Sequence, residues 1–128
     1  MILNLIILIL CGSLIGIERQ KASKLIGVRS IILLMLGAFT FTYISTRIGG
    51  DPSRVVAQIV SGVGFLGTGL IWKDKSTHIA NLTTAILIWV TAALGSMICL
   101  GFLWESALIT LLVYLVLKLS MLKRTKGE

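Results

Sequence analysis

DPSRVVAQIVSGVGFLGTGLIW, residues 51–72, is the stretch on which the fold turns. Asp51 before Pro52 is a helix start: the carboxylate can cap free backbone N–H groups, and proline at the first helical position has no N–H to leave unpaired. No charged residue follows Arg54 until Lys73. About 20 mostly apolar residues suffice to cross a bilayer, so residues 54–72 read as a transmembrane helix. Arg54, Gln58 and Ser61 recur at helical spacing on one face. A polar stripe entering a membrane helix normally faces the bundle or water, because lipid offers it no hydrogen-bond partner.

Gly62, Gly64, Gly67 and Gly69 follow in the same stretch. Residues 62–67 spell the GxGxxG of dinucleotide-binding turns, but that motif needs a preceding strand and a βαβ unit, which a membrane helix does not supply. Two readings of the glycines remain. One is close helix crossing; the other is a locally unwound helix whose freed backbone groups face an ion or a partner.

Outward from this stretch lie four more apolar runs, at residues 2–17, 30–46, 82–100 and 102–119, with Gly101 as the turn between the last two. Merging residues 82–119 into one segment would make it far longer than a single crossing requires. The chain has 128 residues, 56% of them apolar and 13% charged, where soluble domains carry about 25% charge. Five spans would use about 100 residues and leave roughly 28 for every loop and tail. The expected class is therefore an all-α, polytopic membrane protein, a bundle of five transmembrane helices. The N-terminal run has no basic residue before it and no cleavage motif, so it reads as a retained span.

The net charge is +7, but the basic residues sit in short clusters between apolar runs. That pattern is a topology signal that also favours anionic headgroups, and no nucleic-acid partner is expected. Arg19, Lys21, Lys24 and Arg29, then Lys73 and Lys75, then Lys118, Lys123, Arg124 and Lys126 fall on one side of a five-span chain; Arg47 and Arg54 fall on the other. By the positive-inside rule the N-terminus is outside and the C-terminus is cytoplasmic.

The chemistry-bearing residues are sparse. Cys11 and Cys99 lie in apolar runs and read as small buried hydrophobes. Glu18, Asp51, Asp74, Glu105 and Glu128 all sit at span ends, in a loop or in the tail, so a mid-membrane carboxylate relay is not expected. Nor is an enzyme, for lack of a nucleophile beside a base. His78 reads as a solvated loop residue, and Thr83, Thr84 and Thr91 as threonines that can return hydrogen bonds to their own backbone. Glu18 and Arg19 adjoin Arg29 across a short basic loop; they read either as an interfacial ion pair fixing the ends of the first two spans or as a cytoplasmic docking or ion-entry site. Gly12 and Gly16, and Ala92 with Ser96, are small-residue pairs for bundle packing or for a homodimer face.

GSLIGIERQ (12–20), GVRS (27–30), GAF (37–39), DPSRVVAQIVSGVGFLGTGLI (51–71) and NLTTAILIWVTAALG (81–95) together resemble the membrane domain of the MgtC/SapB family, in order and over nearly the whole chain. The resemblance implies a bacterial inner-membrane protein with five spans. Better-known members are linked to growth in low magnesium, survival in host phagocytes and inhibition of the F-type ATP synthase, and a magnesium carrier role has been proposed for the family. It marks as matching residues Glu18, Arg19, Arg29, Asp51, Arg54, Gln58, Thr83, Thr84 and Trp89, and the glycines Gly62, Gly64, Gly67 and Gly69. Many members continue into a soluble C-terminal domain; here residues 1–128 read as one transmembrane domain with none. Asn81 stands where glycine is usual.

The function that the resemblance implies is regulation of another membrane complex, the F-type ATP synthase, in adaptation to low magnesium. The competing class is a cation transporter using the glycine-rich third span. No cofactor is expected, with magnesium the one candidate ion; the expected partners are the bilayer, a second copy and that complex. The charge asymmetry makes a direct prediction. A reporter fused to the C-terminus is cytoplasmic and an N-terminal tag external, also after Arg47 and Arg54 are neutralised; a periplasmic C-terminal reporter would contradict the five-span reading.

Overall fold

A computed structural model describes residues 1–49, 51–73 and 79–124, with side chains over 1–49, 51–71 and 81–119. Asp74, Lys75, His78, Lys126 and Glu128 lie outside the described residues. Five helices follow one another: α1 (Ile2–Lys21), α2 (Val28–Arg47), α3 (Pro52–Leu70), α4 (Leu82–Cys99) and α5 (Leu103–Arg124). Helices α1 to α4 are each long and apolar enough to cross a membrane; α5 covers the fifth expected span. Besides the helices, a minimal antiparallel ladder pairs Trp72 with Ala80 and Lys73 with Ile79 between α3 and α4.

The chain turns where backbone chemistry allows it. Asp51 caps α3 by accepting a hydrogen bond from the Ser53 backbone N–H at 2.9 Å, and Pro52 opens the helix. Gly101 turns α4 into α5 at φ 91. Asn81 precedes α4 at φ 64, in the left-handed region. Glycine enters that region freely and asparagine is among the next most tolerant residues, which accounts for asparagine at this point.

Helix α4 is the most buried of the four apolar helices and α3 the least. The most extensive contact joins α2 to α4, and Gly95 makes its closest backbone approach. A Cβ on Gly95 would overlap the Met35 backbone carbonyl, so the two helices touch backbone to backbone. The Thr42 and Ser96 hydroxyls hydrogen-bond at 3.0 Å beside it, with Thr42 giving its own proton to the Ala38 carbonyl at 2.8 Å. Asn4, near the start of α1, donates to the Ile98 carbonyl at the end of α4 at 2.9 Å. These contacts place the start of α1 and the ends of α2 and α4 together, so successive helices alternate in direction.

Gly12 and Gly16 serve the α1–α2 crossing: a Cβ on Gly16 would fall 2.5 Å from the Val28 Cα, and one on Gly12 2.9 Å from the Ile32 Cγ1. This contact leaves neither glycine free for a homodimer face. The third-span glycines behave differently. A Cβ on Gly67 would lie 3.5 Å from the Ala85 carbonyl oxygen, in ordinary contact, while Gly62, Gly64 and Gly69 have nothing within 4 Å. Close crossing through all four is therefore corrected to one contact at Gly67. The unwound alternative is corrected too, since α3 runs unbroken from Pro52 to Leu70.

The contrast between glycines predicts opposite signs for one substitution. Gly16→Ala forces Val28 backbone to move and destabilises the bundle by about 1–3 kcal/mol, the usual range for overpacking. Gly64→Ala meets open space and is neutral or stabilising by up to about 1 kcal/mol through helix propensity. Unfolding of the purified variants in mixed micelles checks both; equal effects at the two sites would contradict the packing.

Candidate functional site

Helix α1 buries one stripe, Leu8, Cys11, Gly12, Ile15 and Gly16, and its last turn carries that stripe into Glu18 and Arg19. Neighbours on a helix point about 100° apart and do not normally face each other. Here the inward direction falls between them: Ile17 and Gln20 are exposed while Glu18 is 5% and Arg19 1% exposed. Arg19 donates through Nε to Glu18 Oε2 at 2.5 Å and through its terminal nitrogen to Oε1 at 2.7 Å. The pair is bidentate and carries no net charge. That explains why α1 runs past residue 17, where the apolar run ends, to Lys21.

Arg29 does not join them. It is exposed on the first turn of α2 and forms no ion pair among the described residues, because Glu18 is already occupied by Arg19. Thr84, 1% exposed, and its exposed neighbour Thr83 open α4. With successive helices alternating, these residues share one end of the bundle with Glu18, Arg19 and Arg29. Trp89 stands half-exposed on α4 beside Val63, Gly64 and Gly67 of α3.

Asp51, Arg54 and Gln58 lie at the opposite end, exposed on α3. The Ser53 hydroxyl, and after it the Ser53 backbone N–H, hold the Asp51 carboxyl below its ordinary value, so it is ionised at neutral pH. Gln58 also lines a groove of about 410 Å³ between α2 and α3, with apolar groups such as Leu34, Phe41, Ile59 and Leu66 and the glycines Gly37 and Gly62. The matching polar residues thus form two groups at opposite ends of the molecule, one around the buried, self-neutralised Glu18–Arg19 pair and one exposed on α3. Each helix crossing separates its two termini by the length of the bundle, so residues near opposite ends of spans cannot converge.

Several residues that organise this arrangement are not singled out by motif. Thr42, Gly95 and Asn4 hold α1, α2 and α4 together; the available signal was a polar or small residue within an apolar run. Thr91 returns its hydroxyl to the Ile88 carbonyl at 3.0 Å, within its own helix. Among the described residues no group of three or more His, Cys, Asp or Glu side chains gathers as a metal site.

A helical membrane bundle with a buried, self-paired Glu–Arg step at the end of its first helix is the class that fold and site define. The MgtC family profile matches residues 5–125, and the chain belongs to that family. It is 42% identical over 109 residues to Protein MgtC of Brucella abortus, covering 84% of this chain and 45% of that one. To Protein MgtC of Salmonella typhimurium it is 42% identical over 101 residues, 78% of this chain and 43% of the relative. An uncharacterized protein of Haemophilus influenzae is 32% identical over 128 residues, 91% and 54% of the two chains. The chain thus spans about half the length of the curated relatives it matches. No solved structure matches it.

Burial of the Glu18–Arg19 pair sets up a double-mutant test. Glu18→Gln leaves a buried guanidinium without its counter-charge and destabilises by about 3–5 kcal/mol, whereas replacing both residues with Leu and Met is far better tolerated. Detergent-unfolding midpoints of the single and double variants check this; a double variant as unstable as the single one would refute it.

Proposed function

We propose that this protein is a regulator of the bacterial inner membrane, with five spans, its N-terminus outside and its C-terminus in the cytoplasm, that serves adaptation to low magnesium by docking on another membrane complex. The F-type ATP synthase is the complex to which the family resemblance points. The observation that carries this reading is the unbroken α3. A carrier without mid-span carboxylates would need freed backbone carbonyls to coordinate a cation, and the carbonyls of a continuous helix are engaged in its own hydrogen bonds. The buried Glu18–Arg19 pair supports the same reading, because each charge is already matched by the other. The docking end is the basic one, where exposed Arg29 and Thr83 flank the buried pair.

Two measurements separate this from transport. In inverted membrane vesicles, added protein lowers ATP-driven proton pumping, and Arg29→Ala abolishes the effect while leaving expression and unfolding midpoint unchanged. Purified protein in liposomes conducts no magnesium above protein-free controls. Reproducible magnesium flux, or pumping that is indifferent to the protein, would overturn the proposal.

A further inference from the structure

Helix α3 crosses the membrane with little of itself covered. Only Val63 and Gly67 are buried, against α4, and the sides of the helix toward α2 and α4 border shallow grooves. The face between these grooves, with Gln58 on the rim of one and Thr68 on the rim of the other, is ordered. Asp51, Gln58 and Phe65 recur every seven residues, with Arg54, Ser61 and Thr68 three places after each. That is the a/d spacing by which two parallel helices wind on each other. All six are exposed, and Phe65, at 81%, is more exposed than any other large apolar side chain among the described residues.

We propose that this face of α3 is the seam of a two-fold homodimer. Three observations favour a second copy as the occupant. Gln58 lies seven residues below the cap, about 10 Å along the helix axis and so within a hydrocarbon layer about 30 Å thick. Its amide makes no hydrogen bond among the described residues, and lipid offers it none. An amide both donates and accepts, so across a two-fold axis Gln58 is complementary to Gln58 of another copy.

The second observation is charge. Asp51 and Arg54 are exposed one turn apart, opposite in sign, and neither is in an ion pair among the described residues. Insertion gives every copy the same orientation in the membrane, so two α3 helices meet in parallel and at equal depth. Arg54 of each copy then lies one turn, about 4.5 Å along the axis, below Asp51 of the other, a step that the long arginine side chain can span, and the pair is made twice over, as an isologous interface requires. The third observation is room. Gly69, on the same side of α3 as Asp51, has nothing within 4 Å, which permits the backbones to approach, while Gly12 and Gly16 are already filled by α2.

This inference does not rest on the regulatory reading; a dimer can form whatever the protein docks on. The test is disulfide trapping in proteoliposomes of the full chain, with Cys11 and Cys99 changed to Ala and single cysteines placed at Ser61, Phe65 or Thr68. Leu112 on α5 and Val60 on the α4 side of α3 serve as exposed controls. Oxidation yields covalent dimers at the three seam positions and not at the controls. Gln58→Leu, which keeps the helix intact, weakens association about three- to tenfold, the usual range for losing interhelical polar bonds in a membrane. Equal trapping at the controls, no trapping at the seam, unchanged association of Gln58→Leu, or seam adducts of any mass other than twice the monomer would each overturn the proposal.

Discussion

The structure depends on one backbone contact, the meeting of Gly95 of α4 with the Met35 carbonyl of α2. Lipid gives helices no hydrophobic reason to associate; close approach of backbones and interhelical hydrogen bonds must serve instead. Gly95 supplies the approach and the Thr42–Ser96 bond directs it. With α2 and α4 joined, α1 is tied to α2 through Gly12 and Gly16 and to the end of α4 through Asn4. Helix α5 packs mainly on α1. Within single helices, Arg47 lies 5.1 Å over the Tyr43 ring, itself stacked on Phe39, in α2, and Lys118 lies 5.7 Å over Tyr114 in α5.

That core leaves a division of labour. Among the described residues, charge inside the bundle is confined to Glu18 and Arg19, which neutralise each other and so allow the helix end to be buried without a solvent-facing counter-ion. Every other described polar residue named by the family resemblance, apart from Thr84, is exposed on the surface of the bundle, either at the basic end or along α3. A molecule built this way presents surfaces and encloses little. Those surfaces are what the proposed regulatory reading rests on.

Helix positions were legible in the sequence because hydropathy and cap chemistry act locally: the expected 30–46 became Val28–Arg47, 82–100 became Leu82–Cys99, and Gly101 is the turn. The first span was read too short. A charged residue ordinarily marks the edge of the hydrocarbon, but Glu18 and Arg19 cancel each other and α1 continues. The glycines show a deeper limit. Four in one helix drew attention to α3, yet only Gly67 makes a crossing, while the single Gly95 in α4 makes the tightest one. Spacing along a helix states which residues share a face and is silent on which face meets a neighbour.

The central claim is that backbone contact at Gly95 holds the bundle, and one substitution tests it by sign. Local helix propensity alone makes Gly95→Ala stabilising by about 1 kcal/mol. The α2–α4 contact makes it destabilising by about 1–3 kcal/mol, since the added methyl group must displace the Met35 backbone. Reversible unfolding of the purified variant in mixed micelles measures the difference. A lowered midpoint with loss of the whole bundle in one transition is the predicted result; a midpoint equal to or above that of the parent protein would contradict it.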